Sequence, residues 1–158
     1  MSFKLGSRSL SRLEGVDERM VAVVKLAISI SSADFTVLEG LRSVERQREL
    51  VAKGRSQTMK SKHLDGLAVD LGAYDSVTGI RLEESAYFPI ADAMQEAAKQ
   101  VGVGLCWGAA WAVEGHKYPF DCRLWEGDMA SCWEAYHDLR RSQSRKAFND
   151  MPHWELVV

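Results

Sequence analysis

The stretch Ser61–Asp70, "SKHLDGLAVD", sets a histidine and an aspartate seven positions apart, and the later stretch "NDMPHWELVV" sets Asp150 three positions before His153. His63, Asp70 and His153 are ligand types for zinc, whose catalytic sites take three protein donors and leave a fourth position to water. His63 ends a polar loop, Gly66 permits a turn, and Asp70 lies in the strand-like run that follows, so both could face one point. His153 could supply the third donor if its strand lies beside that of Asp70. Pro152 biases Met151 to extended backbone, so Asp150 need not be helical. A carboxylate beside the metal could take a proton from the attacking water and later give it to the leaving amine. Plainer readings exist: Asp150 as a turn residue, His153 as a packed core histidine beside Trp154. Spacing alone leaves both open.

The elements that must position these residues follow from periodicity. Acidic Asp17 and Glu18 suit the first turn of a helix that continues through "MVAVVKLAISI" (Met20 to Ile30). "DFTVLEGLR" (Asp34 to Arg42) alternates as a strand does, and "SVERQRELVAKG" reads as a helix with Ser43 as N-cap and Gly54 as its stop. A polar loop leads into the strand "LAVDLGAYD". "YFPIADAMQEAAKQVG" carries Ile90, Met94, Ala97, Ala98 and Val101 at helical spacing, and "VGLCWGAAW" reads as another strand. From Val113 to Asn149 the pattern breaks into aromatic, charged and short helical pieces, expected as an insertion or lid before the closing strand "HWELVV". Without a strict βαβ rhythm, the expected fold is α+β, a small and mainly antiparallel sheet flanked by helices.

Composition narrows the functions. The 158 residues suit one domain spanning 1–158, with 46% apolar residues. Twenty basic against twenty-two acidic residues, a formal charge of −2, do not fit a nucleic-acid binder working by phosphate neutralisation. The basic run "RRSQSRK" (Arg140 to Lys146) could still touch an anionic surface, or be a solvated face. Met20 to Ile30 is too short, and too interrupted by Lys25, for a membrane span. "MSFKLGSRSL" lacks the apolar core of a secretory signal. Cys106, Cys122 and Cys132 form no CxxC pair; free thiols are expected, with a Cys122–Cys132 bridge as the alternative.

"SKHLDGLAVD" resembles the S-x-H-x-x-G-x-A-x-D signature of zinc peptidases that cut bacterial cell-wall peptides containing D-amino acids, with Ser61, His63, Gly66, Ala68 and Asp70 at its fixed positions. "DMPHWEL" is similar to that family's closing motif, and its Asp and Pro resemble the L-alanyl-D-glutamate endopeptidase branch found among phage endolysins. "SRSLSRLEGV" and "DFTVLEGLRSVERQRELVAKGRSQT" also look like that branch. The resemblance spans Ser7 to about Trp111 and resumes at Asp150. It implies His63, Asp70 and His153 as zinc ligands and Asp150 as catalytic acid/base. Arg42, in the family's G-x-R-S segment, would steady charge on the tetrahedral intermediate and bind substrate.

Ser61 and Gln47 are further candidates for orienting the peptide or supporting the loop, against plainer roles as a turn residue and a helix surface residue. Glu134 and His137, at i, i+3 within the inserted region, are alternative ligands that lack the motif. The implied enzyme hydrolyses the peptidoglycan stem peptide, with a D-alanyl-D-alanine carboxypeptidase or an inactive zinc-containing wall-binding module as alternatives. A monomer is expected, made in the host cytoplasm and reaching the wall in the periplasm after membrane permeabilisation.

Overall fold

The computed structural model describes residues 2–158. Two helices, α1 (Ser7–Arg12) and α2 (Glu18–Ile30), precede the first strand, β1 (Phe35–Glu39). Asp17 caps α2 by accepting from the backbone N–H of Arg19, and Met20, Val23, Val24, Ala27 and Ile28 form its buried stripe. This apolar run is therefore a core helix. Among the described residues, no helix is long and apolar enough to cross a membrane.

Helix α3 (Val44–Ala52) starts at Ser43, whose side chain accepts from the N–H of Arg46. The polar loop after it ends in a short 3₁₀ turn, Lys62–Asp65, closed by Gly66 with φ of 69°, a conformation that favours glycine. Strand β2 (Ala68–Asp75) follows, then a two-residue strand β3 (Gly79–Ile80) and the long helix α4 (Phe88–Val101). Strand β4 (Leu105–Trp107), helix α5 (Met129–Ser142) and strand β5 (His153–Leu156) complete the order. All pairings are antiparallel, and the sheet runs β1-β2-β5-β4 with β3 beside β2. The α+β architecture read from the sequence is the one observed.

Alternation along the strands divides the sheet into two faces. Val69, Leu71, Ala73, Trp154, Leu156 and Trp107 join the core with residues of α2 and α4. Trp107 and Trp154, paired across β4 and β5, stack with centroids 5.5 Å apart. Such a pair adds about 0.5–1.5 kcal/mol beyond burial. Asp70, His153 and Glu155 have the opposite parity and share the other face.

Two strands are shorter than their sequence patterns. The strand expected over 103–111 ends at Trp107, because the Ala110 N–H bonds the Trp107 carbonyl and turns the chain. The strand expected over 34–42 ends at Glu39, where a bulge between Val37 and Glu39 shifts the register with β2. The 113–149 segment contributes Phe120, Cys122, Met129, Cys132 and Tyr136 to the core, so it is anchored to the domain. The three cysteines are free and buried, without a Cys122–Cys132 bridge.

Gly108 ties the closing strand down. Its N–H donates to the His153 carbonyl at 2.7 Å, and its carbonyl accepts from the Asp150 N–H at 2.8 Å. A Cβ there would lie 2.5 Å from the Asp150 carbonyl oxygen and 2.8 Å from the His153 Cβ. Gly108→Ala is therefore expected to destabilise the domain by roughly 1–3 kcal/mol, the usual range for overpacking. Denaturant unfolding checks the stability, and chelator competition should show weakened metal binding in the same variant.

Candidate active site

Asp70 and His153 are direct partners in the β2–β5 ladder, so their side chains emerge side by side. The His153 Nδ1 lies 3.2 Å from Asp70 Oδ1. His63 comes from the 3₁₀ turn before β2 and places its Nε2 3.2 Å from the same oxygen. One donor atom from each residue lies within 4.8 Å of the other two. Among the described residues this is the single group of three or more His, Cys, Asp or Glu side chains so arranged. Glu134 and His137 stay outside it, and His137 packs against Trp133 instead.

The neighbours leave one nitrogen of each ring facing the cluster. His63 Nδ1 is 2.8 Å from the Gly40 carbonyl, to which it can only donate, so Nε2 faces the site. His153 Nε2 is 2.9 Å from Glu155 Oε1, leaving Nδ1 for the site. Such outer partners orient imidazole ligands and raise their basicity. Two oriented imidazoles and one carboxylate therefore fit a divalent metal of the zinc type. Glu155 and the Gly40 carbonyl escaped the sequence reading. Glu155 could have been found from its i, i+2 spacing to His153 on a strand.

The protonation of the metal-free cluster follows from its contacts. Burial raises the Asp70 carboxyl, but hydrogen bonds from His153 and His63 outweigh it and hold the group well below the ordinary carboxylate range. Burial lowers His153, yet its bonds to Asp70 and Glu155 win and lift it to about 9. Burial pushes Asp150 upward from its ordinary range, opposed by the nearby His153 charge and reinforced by that of Asp70. The Asp150 side chain makes no direct hydrogen bond within the described residues, so it is available for proton transfer.

Arg42 borders the cluster from the other side. Its Nε and Nη2 donate to the two carboxylate oxygens of Glu39, each at 2.8 Å, and Nη1 donates to Gln47 at 2.7 Å. Nη1 also lies 3.4 Å from the Ser61 Oγ, and Nη2 3.7 Å from Asp70 Oδ2. The β-bulge sets Glu39 opposite Asp70, and Glu39 was a further residue missed by sequence reasoning. Gln47 is fully buried; its amide donates to Ser56 Oγ and the Thr58 carbonyl, supporting both Arg42 and the polar loop. Ser61 accepts from the His63 N–H and begins the turn that carries this histidine. The Trp111 indole stacks on His153 with centroids 5.7 Å apart.

Fold and cluster together have the donor set of a single-metal hydrolase centre, with a spare carboxylate alongside. The chain belongs to the phage L-alanyl-D-glutamate peptidase family, whose sequence profile matches residues 1–131. It is 32% identical over 118 residues to the L-alanyl-D-glutamate peptidase of Escherichia phage T5, a match spanning 73% of this chain and 86% of that one. The crystal structure of the Serratia marcescens L-Ala D-Glu endopeptidase ChiX is similar, with a TM-score of 0.72 and 32% identity, covering 99% of this chain and 91% of that chain.

Two measurements follow for metal binding. Near pH 7.5 His153 is protonated in the metal-free protein, because its raised value of about 9 lies above that pH. Metal must displace this proton, so uptake should release about one proton, and affinity should rise with pH until about 9. Calorimetry in buffers of different protonation heat reads this release. Glu155→Gln removes the charge behind His153 and is expected to lower metal affinity roughly tenfold by chelator competition.

Proposed function

We propose that this protein is a zinc-dependent peptidoglycan hydrolase that cuts the bond between L-alanine and D-glutamate in the stem peptide, in the manner of a phage endolysin. The observation that carries the reading is the convergence of His63, Asp70 and His153 on one point, with Asp150 on the turn before His153. The relatives' names support the scissile bond. His63, Asp70 and His153 would hold the zinc, which supplies Lewis-acid polarisation of the scissile carbonyl and lowers the pKa of the attacking water.

The chain's own residues do the rest. Asp150 takes the proton from the attacking water and returns it to the departing amine of D-glutamate. Its partial burial makes it a stronger base than an exposed carboxylate, which suits proton transfer at mild pH. Arg42 cannot swing freely, because Glu39 and Gln47 grip three of its N–H groups. Its positive charge is thereby fixed beside Asp70, where it can steady negative charge growing on the substrate oxygen. Ser61 and Gln47 act by holding Arg42 and the loop of His63. The protein works as a monomer; made in the host cytoplasm, it meets the wall once the membrane has been permeabilised.

Asp150→Asn keeps the shape of the side chain and removes the base. It is expected to lower kcat by about 10²–10⁴ while zinc content stays at one ion per chain. Mass spectrometry of digested peptidoglycan should show new D-glutamate amino groups for the native protein. Free D-alanine as the sole product would assign a carboxypeptidase instead. Chelation should abolish cleavage and added zinc restore it; full turnover without metal would end the zinc reading.

A further inference from the structure

A cleft of about 270 Å³ borders Trp111, the ring stacked on His153. Its walls include Tyr118 and Phe148, which stack on Trp111 at centroid distances of 6.3 and 6.1 Å. Arg140, Arg145 and Lys146 also line it. Among the described residues none of these three cations has a carboxylate within ion-pair distance. The neighbouring Arg141, outside the cleft, is paired with Asp138 at 2.8 Å. Arg140 lies 5.4 Å over the Tyr136 ring and donates to Gln143, both uncharged partners.

The backbone gathers these charges at some cost. After α5 the chain reverses through Ser144, which adopts φ of 53°, a left-handed conformation uncommon for a residue other than glycine. The Arg145 N–H then bonds the Arg140 carbonyl at 2.8 Å, and the Ser144 N–H bonds the Arg141 carbonyl at 3.0 Å. The reversal brings Arg145 back beside the start of the last helical turn, so backbone bonds hold like charges together against their mutual repulsion.

We propose that this cleft is a substrate subsite for a carboxylate that the stem peptide carries beyond the scissile bond. The inference rests on the endopeptidase reading above and deepens it. A glutamate linked onward through one carboxyl keeps the other free, so a peptide cut before D-glutamate presents anionic groups on that side. Two guanidiniums and an ammonium can meet such groups directly, and the exposed aromatic walls give the peptide a flat surface to lie against. Trp111 lines the cleft and stacks on His153 at 5.7 Å, which puts the cleft within a few residues' reach of the scissile bond of an extended peptide. The formal charge of −2 opposes a nucleic acid as the occupant.

Two peptides test the inference: one with the L-alanyl-D-glutamate bond followed by free carboxylates, and the same peptide with those carboxylates amidated. On the acidic peptide, Arg145→Gln with Lys146→Gln should raise KM about tenfold, with kcat within about twofold of native. Both side chains are exposed, so the substitutions leave folding intact. Native protein should already show the raised KM on the amidated peptide, and the double variant should add little. Lys99→Gln with Arg141→Gln removes equal charge outside the cleft and should leave KM unaltered. Equal KM for both peptides in the native protein, or equal effects of the two double variants, would overturn the subsite. An unaltered KM with weakened sedimentation on intact peptidoglycan would overturn it too, by assigning the cleft to a wall polymer. Cleavage of neither peptide by native protein would remove the endopeptidase reading and the subsite together.

Discussion

Asp70 Oδ1 stands 3.2 Å from a nitrogen of His63 and 3.2 Å from a nitrogen of His153, and the second contact exists only because of strand register. Side chains alternate with a period of two, so a slip of one residue between β2 and β5 would set Trp154 beside Asp70 and turn His153 toward the core. The opposite face resists that slip. Trp154 is held against Trp107, whose indole N–H donates to the Met151 carbonyl at 2.8 Å. Hydrophobic packing on one side of the sheet thus fixes a polar geometry on the other.

Charges of alternating sign run across that polar face: Glu39, Arg42, Asp70, His153 and Glu155. Each neighbouring pair is within about 4 Å, from the two 2.8 Å bonds of Arg42 to the 2.9 Å contact of His153 with Glu155. Buried ion pairs of this kind add little net stability, since desolvation offsets attraction. Their value is positional. With three carboxylates against Arg42 and one titratable imidazole, the row carries the negative charge that a divalent cation would offset once His153 gave up its proton.

The clustering of His63, Asp70 and His153, the turn at Gly66 and the place of Asp150 near them were legible because they lie in two short motifs, each under a dozen residues long. Glu39 and Glu155 were not. Glu39 reaches the site through a bulge, and Glu155 through parity along a strand whose burial could not be assigned beforehand. The helices α2, α3 and α4 were legible from caps and periodicity. Helix α5 was seen only as short helical pieces, although Met129, Cys132 and Tyr136 follow helical spacing and are its buried residues. Aromatic residues scattered before and after it masked that stripe. Gln47 stood open between supporting the loop and lying on a helix surface; its bonds to Ser56 and Thr58 make it a buried brace of that loop.

Strand β5, latest of the strands in chain order, lies in the middle of the sheet, between β2 and β4. A nascent polypeptide emerging from the ribosome therefore joins β2 to β4, and brings His153 beside Asp70, only when this strand inserts. Partial chains would be inert. Hydrolytic competence would arise only once β5 sits between β2 and β4, a form of latency written into strand order.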